Sequence, residues 1–248
     1  MKTFFLPLIV GLLLYLSGCA VIDTSTLDTA IPLKPGKIKV MTYAVSGVEQ
    51  NSLIFSPGLP EDDDNDRVAG SKMDLGIKLG VGVGDHVELD ASALAFSSPL
   101  GKLALKVNIL DNGTNAISLQ PAIYSYRGTG PEHFNPGGDD RNFRGKYRSN
   151  GSELPVLLTH RNTANSNVTL CAKLGYNSLH YERRDLANQL ADSGDYNSFY
   201  GGLLANAKIK FWKIAIIPEG GVYAVQVHQG KFSLVPVLNL GLGFDMGE

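Results

Sequence analysis

The chain is poor in the features that usually announce a function. It has two cysteines and one tryptophan in 248 residues. Two thiols cannot build a disulfide framework, so a small stapled secreted fold is excluded. A formal net charge of −2 leaves no basic footprint, which excludes nucleic acid as a partner. Beyond the N-terminus no apolar run approaches the roughly 18 residues of a membrane-crossing helix. No Cys/His spacing suits zinc, and no glycine-rich loop opens a helix toward a phosphate. No cofactor is expected. Segments with a helical period are few. What the chain does have is glycine, 28 residues of it, and a two-residue alternation.

The alternation is strictest in residues 73–96, MDLGIKLGVGVGDHVELDASALAF. Met73, Leu75, Ile77, Leu79, Val81 and Val83 take the odd positions, and Asp74, Gly76, Lys78, Gly80, Gly82 and Gly84 the even ones. After GDH the odd register continues with Val87, Leu89, Ala91 and Ala93 against Glu88, Asp90 and Ser92. Such parity means two strands, each with an apolar and a polar face. Similar faces recur. Lys102, Lys106 and Asn108 oppose Leu103, Leu105, Val107 and Ile109; Thr169, Lys173 and Asn177 oppose Val168, Leu170, Ala172 and Leu174; Asn206, Lys208 and Lys210 oppose Leu203, Ala205, Ala207, Ile209 and Phe211.

Ten strands are expected, near 37–46, 73–84, 86–96, 102–110, 116–126, 153–161, 168–182, 200–212, 213–227 and 231–245. Most exceed the usual five to six residues of a soluble sheet and match the roughly 9–11 that cross a bilayer at a tilt. Short connections (GDH, DNGTN, NTANSN and the turn at Trp212-Lys213) alternate with long ones at 47–72, 127–152 and 183–199, although SSPLG and HQG, on the long-loop side, are also short. Short turns on one side and long loops on the other are the habit of outer-membrane barrels. The fold class is therefore all-β: an antiparallel up-and-down barrel of about ten strands, of the transmembrane outer-membrane type, with no helical domain. Tyr43, Tyr124, Tyr126, Tyr176, Trp212, Tyr223 and Phe232 are the candidates for its aromatic belts. Pro121, Pro155, Pro218 and Pro236 fall inside the expected strands, where each removes a ladder donor.

The N-terminus has a short positive region, Met1-Lys2, then an apolar run from Phe4 to Leu16, then Leu16-Ser17-Gly18-Cys19. This resembles the signal peptide and lipobox of bacterial lipoprotein precursors. The resemblance covers residues 1–19. It implies cleavage before Cys19 and acylation of that cysteine, which leaves Cys171 without a disulfide partner. The ending LNLGLGFDMGE resembles the C-terminal strand that barrel-assembly machinery reads, with Asp245 to Glu248 added after the aromatic. Residues 1–18 are then a signal peptide, 19–36 an acylated cysteine on a flexible Thr- and Pro-containing tether, and 37–248 a single barrel. The expected location is the outer membrane, anchored at Cys19.

Three constellations stand out. Asp62, Asp64 and Asp66 have the alternate spacing of a calcium loop, although Arg67 stands where an EF-hand has glycine. Arg144, Lys146 and Arg148 alternate with Phe143, Gly145 and Tyr147, a cationic face suited to phosphates such as those of lipopolysaccharide at outer loops. Lys78, Lys106, Lys173, Lys208 and Lys210 against Asp74, Glu88, Asp90 and Glu219 make a lumenal ion network if the polar faces point inward. No metal site emerges with certainty, and no compact Ser-His or Asp-His motif marks a catalytic rim. The leading expectation is a non-catalytic barrel with a structural, narrow-pore or surface-binding role. Its partners would be membrane lipid and the assembly machinery. A soluble periplasmic barrel holding a lipidic ligand in an apolar interior is the alternative, and an outer-rim hydrolase at His133, His180 or His228 the third reading.

Overall fold

The computed structural model describes residues 21–49, 71–94, 101–134, 141–185, 189–226 and 232–245. Every regular element among them is a strand. These are β1 (Val21–Ile22), β2 (Ile38–Glu49), β3 (Ser71–Gly84), β4 (Val87–Leu94), β5 (Gly101–Asp111), β6 (Asn115–Leu119), β7 (Ala122–Phe134), β8 (Arg141–Thr163), β9 (Ser166–Arg184), β10 (Leu190–Phe211), β11 (Ile214–Gln226) and β12 (Phe232–Asp245).

All pairings are antiparallel, and β12 returns to β2 from Leu240↔Ala44 to Asp245↔Lys39, closing the ring. Strands β6 and β7 are two halves of one stave, since both pair with β5 on one side and β8 on the other. The break between them falls at Gln120-Pro121, opposite Pro155. The Gln120 amide donates to the Pro155 carbonyl at 2.9 Å, and Leu105 donates to the Pro121 carbonyl at 3.0 Å. Two prolines, neither able to donate, thus share one interruption of the wall. Pro218 and Pro236 stay within the β11–β12 ladder with their rings facing outward. Counting β6 and β7 as one stave and setting β1 aside, ten staves form the described barrel.

The turns at 85–86, 112–114, 164–165 and 212–213 all lie at one end, with the start of β2 and the end of β12. The connections at the other end are longer, above all the one between β2 and β3. Two of the expected long loops are mostly strand. Residues 127–134 and 141–152 extend β7 and β8, and 190–199 extend β10. Arg127, Lys146, Arg148, Asn150, Ser152, Ser193, Asp195 and Asn197 face outward there, with Leu190 and Phe199 the apolar exceptions, so the apolar parity that marks a bilayer-facing strand weakens before the ladder stops.

The faces settle which solvent the apolar side meets. Leu79 is 46% exposed while its neighbour Lys78 is 8% exposed. Met73, Leu75, Ile77, Leu103, Leu170, Leu203, Leu238 and Leu242 also point outward, whereas Glu88, Asp90, Lys106 and Lys173 are buried inside. A barrel with an apolar exterior and a charged interior is the membrane arrangement. The soluble alternative with an apolar, ligand-holding interior is overturned by that interior.

The aromatic belts differ from expectation. Tyr43, Tyr124, Tyr126 and Tyr223 are buried in the lumen. Exposed Trp212, Phe211 and Phe244 lie at the short-turn end, and Phe199 and Phe232 toward the other end, with the Tyr176 ring 5.2 Å from Phe199. The buried tyrosines have a packing reason. Tyr43↔Gly76, Tyr124↔Gly151, Gly175↔Tyr200 and Gly202↔Tyr223 are register partners on adjacent strands. In each pair the tyrosine ring occupies the space where a glycine Cβ would stand. The ring covers backbone that glycine leaves bare, which fixes register from the inside.

Candidate functional site

The sequence reads 19–36 as a flexible tether, but residues 23–30 of it are buried inside the lumen and 31–36 lead out to the short-turn mouth. Asp23, Thr24, Thr26, Leu27, Asp28 and Ala30 are each at most 5% exposed. No hydrophobic period marks the stretch, because its partners surround it rather than lie on one side. Its shape is set locally. The Asp23 carboxylate accepts from the Ser25 amide at 2.9 Å and hydroxyl at 2.6 Å, an Asx turn. Lys34-Pro35-Gly36-Lys37 turns the chain into β2, with the Lys37 amide donating to the Lys34 carbonyl at 3.0 Å. Proline at the second position and Gly36 at φ 76° at the third are what a type II turn requires.

Three groups of contacts hold this segment. Nearest the short-turn end, Asp28 accepts from Lys106 and Lys78 at 2.8 Å and from Lys39 at 3.1 Å. Lys106 also reaches Glu88 at 2.8 Å, Lys39 reaches Glu88 and, at 3.1 Å, Asp90, and Gln120 donates to Asp90 at 2.8 Å. In the middle, Glu219 accepts the Thr26 and Leu27 amides at 2.9 and 2.8 Å and Asn239 at 2.8 Å. Farther up, Lys102 bridges Asp23 and Glu153, each at 3.2 Å. Lys173 donates to the Thr24 and Ser25 carbonyls at 3.1 Å and lies 3.5 Å from Glu153. Tyr223 donates to the Thr24 carbonyl at 2.6 Å.

The charges balance only with the segment in place. Lys39, Lys78 and Lys106 face Glu88 and Asp90 on the wall, and Asp28 supplies the third negative charge. Lys102 and Lys173 face Glu153, and Asp23 supplies the second. Buried charges persist only when paired and hydrogen-bonded, so each aspartate completes its cluster. The carboxylates of Asp28, Glu88 and Asp90 also lie within 4.8 Å of one another, a spacing that would suit a cation. Three ammonium groups already occupy that role.

Other expected residues are dispersed. Asp74 is buried on β3 and accepts the Leu75 amide at 2.7 Å. Lys208 and Lys210 are half-buried and line a cavity of about 590 Å³ at the short-turn mouth with Lys34, Lys37 and Arg161. Arg144, Lys146 and Arg148 belong to strand β8 rather than a loop, paired on both sides by β7 and β9. The side chains of Lys146 and Arg148 are exposed. Asp62, Asp64, Asp66 and Cys19 lie outside the described residues. Cys171 is buried with its Sγ 3.4 Å from the Thr26 hydroxyl. Pattern reading misses Asp23, Asp28, Lys39, Lys102 and Glu153 as members of the network; the Pro-Gly turn at 35–36 was the one local signal that the preceding segment reverses into β2.

No protein-family model and no curated protein matches the sequence. Among solved structures the chain overlaps three loosely. One is the copper transporter OprC, at 8% identity and a TM-score of 0.31, over 86% of this chain and 43% of that one. Another is the outer membrane channel DcaP of Acinetobacter baumannii, at 8% identity and 0.25, over 85% and 96%. A third is the siderophore receptor PirA from Pseudomonas aeruginosa, at 10% and 0.20, over 84% and 42%. The chain thus spans less than half the length of OprC and PirA. Overlaps this loose carry no functional argument, and the barrel assignment rests on the strand pairings and faces themselves.

Proposed function

We propose that the protein is a lipid-anchored outer-membrane barrel that its own N-terminal segment closes, with a structural or surface-binding role and no catalysis. The observation that carries this is the burial of Asp23 and Asp28 among lysines of the wall. A lumen whose charges are consumed by its own chain has no free path for solutes. This reading replaces the narrow pore with a plug. Purified protein in a planar bilayer is expected to pass no sustained current, and replacing residues 23–33 with a Gly/Ser chain of equal length is expected to open one. Sustained current from the unaltered protein would refute closure.

The surface-binding role is supported by one row of outward residues beyond the apolar band. Arg127 and Arg148 are direct partners across β7–β8, and both are exposed. Like charges placed opposite one another on a sheet repel, and an anion between them relieves that. His180, the next in the row, instead has Asp195 at 2.9 Å. Phosphates of lipopolysaccharide are the ligand we assign to the arginine pair, with Lys146 nearby. Arg127→Gln with Arg148→Gln should lower the lipopolysaccharide that co-purifies; unchanged co-purification refutes the assignment. Membrane lipid and the barrel-assembly machinery complete the expected partners.

A further inference from the structure

The lumenal segment has a direction. It enters β2 at the short-turn end, where Gly36 donates to the Gly82 carbonyl at 2.8 Å. Going backward in sequence it climbs the lumen. Ala30 reaches Thr159, Asp28 the lower lysines, Thr26 reaches Glu219, and Thr24 donates to the Ser46 carbonyl at 2.9 Å. It ends in β1, paired with the far end of β2 as Ile22↔Val48 and Val21↔Glu49.

The edge on which β1 sits is fixed by the register. Val48 pairs with Ser71 of β3 on one side and Ile22 on the other. β1 therefore occupies the β12 side of β2. There the β12–β2 ladder has already stopped, at Leu240↔Ala44. Asn239 marks the spot by accepting the Ser46 amide at 3.0 Å. Above this point β12 presents Leu238 and Leu234 outward, 76% and 67% exposed. The wall thus has a seam between its first and last staves, in the half of the apolar band away from the short turns, and the N-terminal chain lies in it.

We propose that the N-terminus of the mature chain leaves the barrel through this seam on the long-loop side, so that acyl chains on Cys19 enter the leaflet on that side. In the outer-membrane reading this is the outer leaflet. Chain length excludes the other mouth. Cys19 is three residues from Ile22 and can stray about 10–11 Å from it. The short-turn end lies ten residues of β2 away, roughly 33 Å along the strand. The lipid part rests on the lipoprotein reading of Cys19; the direction of exit rests on the described residues alone.

An epitope inserted between Ala20 and Val21 is expected to bind antibody on intact cells, while the same epitope between Trp212 and Lys213 binds only after permeabilisation. If the first also needs permeabilisation, the exit direction is refuted. The mass of the N-terminal peptide is read separately. A diacylated or triacylated Cys19 is expected, and an unmodified Cys19 beside a surface epitope would refute the lipid anchor alone. Where the insertion blocks assembly, Ile22→Cys with Val48→Cys in a Cys171→Ser background tests the same placement. Directly opposed residues lie within disulfide reach, so oxidation should join the two peptides. Ile22→Cys with Lys213→Cys should stay unjoined. Failure of the first pair, or joining of the second, overturns the proposal.

Discussion

Asp28→Asn tests the lumenal network at its centre. The substitution keeps the side chain's shape and removes one negative charge. Lys39, Lys78 and Lys106 then face only Glu88 and Asp90, so one buried cation is uncompensated. Breaking a buried ion pair by removing one partner costs about 3–5 kcal/mol. For a domain of this size each kcal/mol moves the midpoint by about 2–4 °C, so the shift should be roughly 6–20 °C. Unfolding of a barrel in detergent is a rate measurement, so parent and variant must be heated on one schedule. The readout is the temperature at which half the protein changes from the fast-migrating folded band to the boiled position on a cold detergent gel. The second variant adds Lys106→Met to Asp28→Asn. It leaves Lys39 and Lys78 against Glu88 and Asp90, two against two, and should recover at least half of the lost stability through coupling. A single variant within 2 °C of the parent, or a double variant no better than the single, refutes the charge argument.

Other outcomes follow from the same geometry. Leu79→Arg puts a cation on the lipid face and should cost about 2–4 kcal/mol near the midplane, read as reduced assembly; normal assembly would contradict the outward placement of Leu79. In a Cys171→Ser background, Leu79→Cys and Leu89→Cys should be labelled by a bilayer-restricted reagent, and Lys78→Cys should not. Gly175→Val forces Tyr200 off the backbone it covers and should slow barrel assembly far more than the same change at Gly84, whose Cβ would meet only the Val87 side chain at 3.9 Å. Cys171 is a native reporter of plugging: it should resist a water-soluble thiol reagent in the parent and react when residues 23–33 are replaced by Gly/Ser.

The barrel was legible because its evidence is periodic. Alternation at 73–83 and 87–93 gave two faces, and the turn lengths gave the sidedness. Which face met lipid was not legible from parity, since a soluble barrel has the same two-residue repeat turned inside out. The tops of β7, β8 and β10 were read as loops because a strand standing above the bilayer has mostly polar residues on its outward face, and the apolar half of the signal fades. The lumenal segment was unreadable for a different reason. Its residues pair with Lys39, Lys78, Lys102, Lys106, Lys173 and Glu219, which lie on five staves and come together only when the ring closes. A tether and a plug of this length look alike until those partners have positions. Tyrosines 43, 124 and 223 misled in a simpler way: a belt residue and a ring covering a glycine are both aromatic, and only the partner strand tells them apart.

The seam carries a consequence for the order of birth. The ladder that closes the ring, β12 on β2, spans Leu240↔Ala44 to Asp245↔Lys39, and β1 lies just beyond its upper limit on the same edge. If Cys19 carries the acyl groups proposed above, that chain end cannot afterwards be drawn up a finished lumen from the short-turn mouth. The last hairpin must therefore swing shut over a segment already laid in place, much as a garment is fastened around its wearer. The first residues made would be the template on which the final strand docks. A cell that blocks the N-terminal step should then accumulate open sheets whose β11 and β12 are paired with each other and whose β2 edge is still bare.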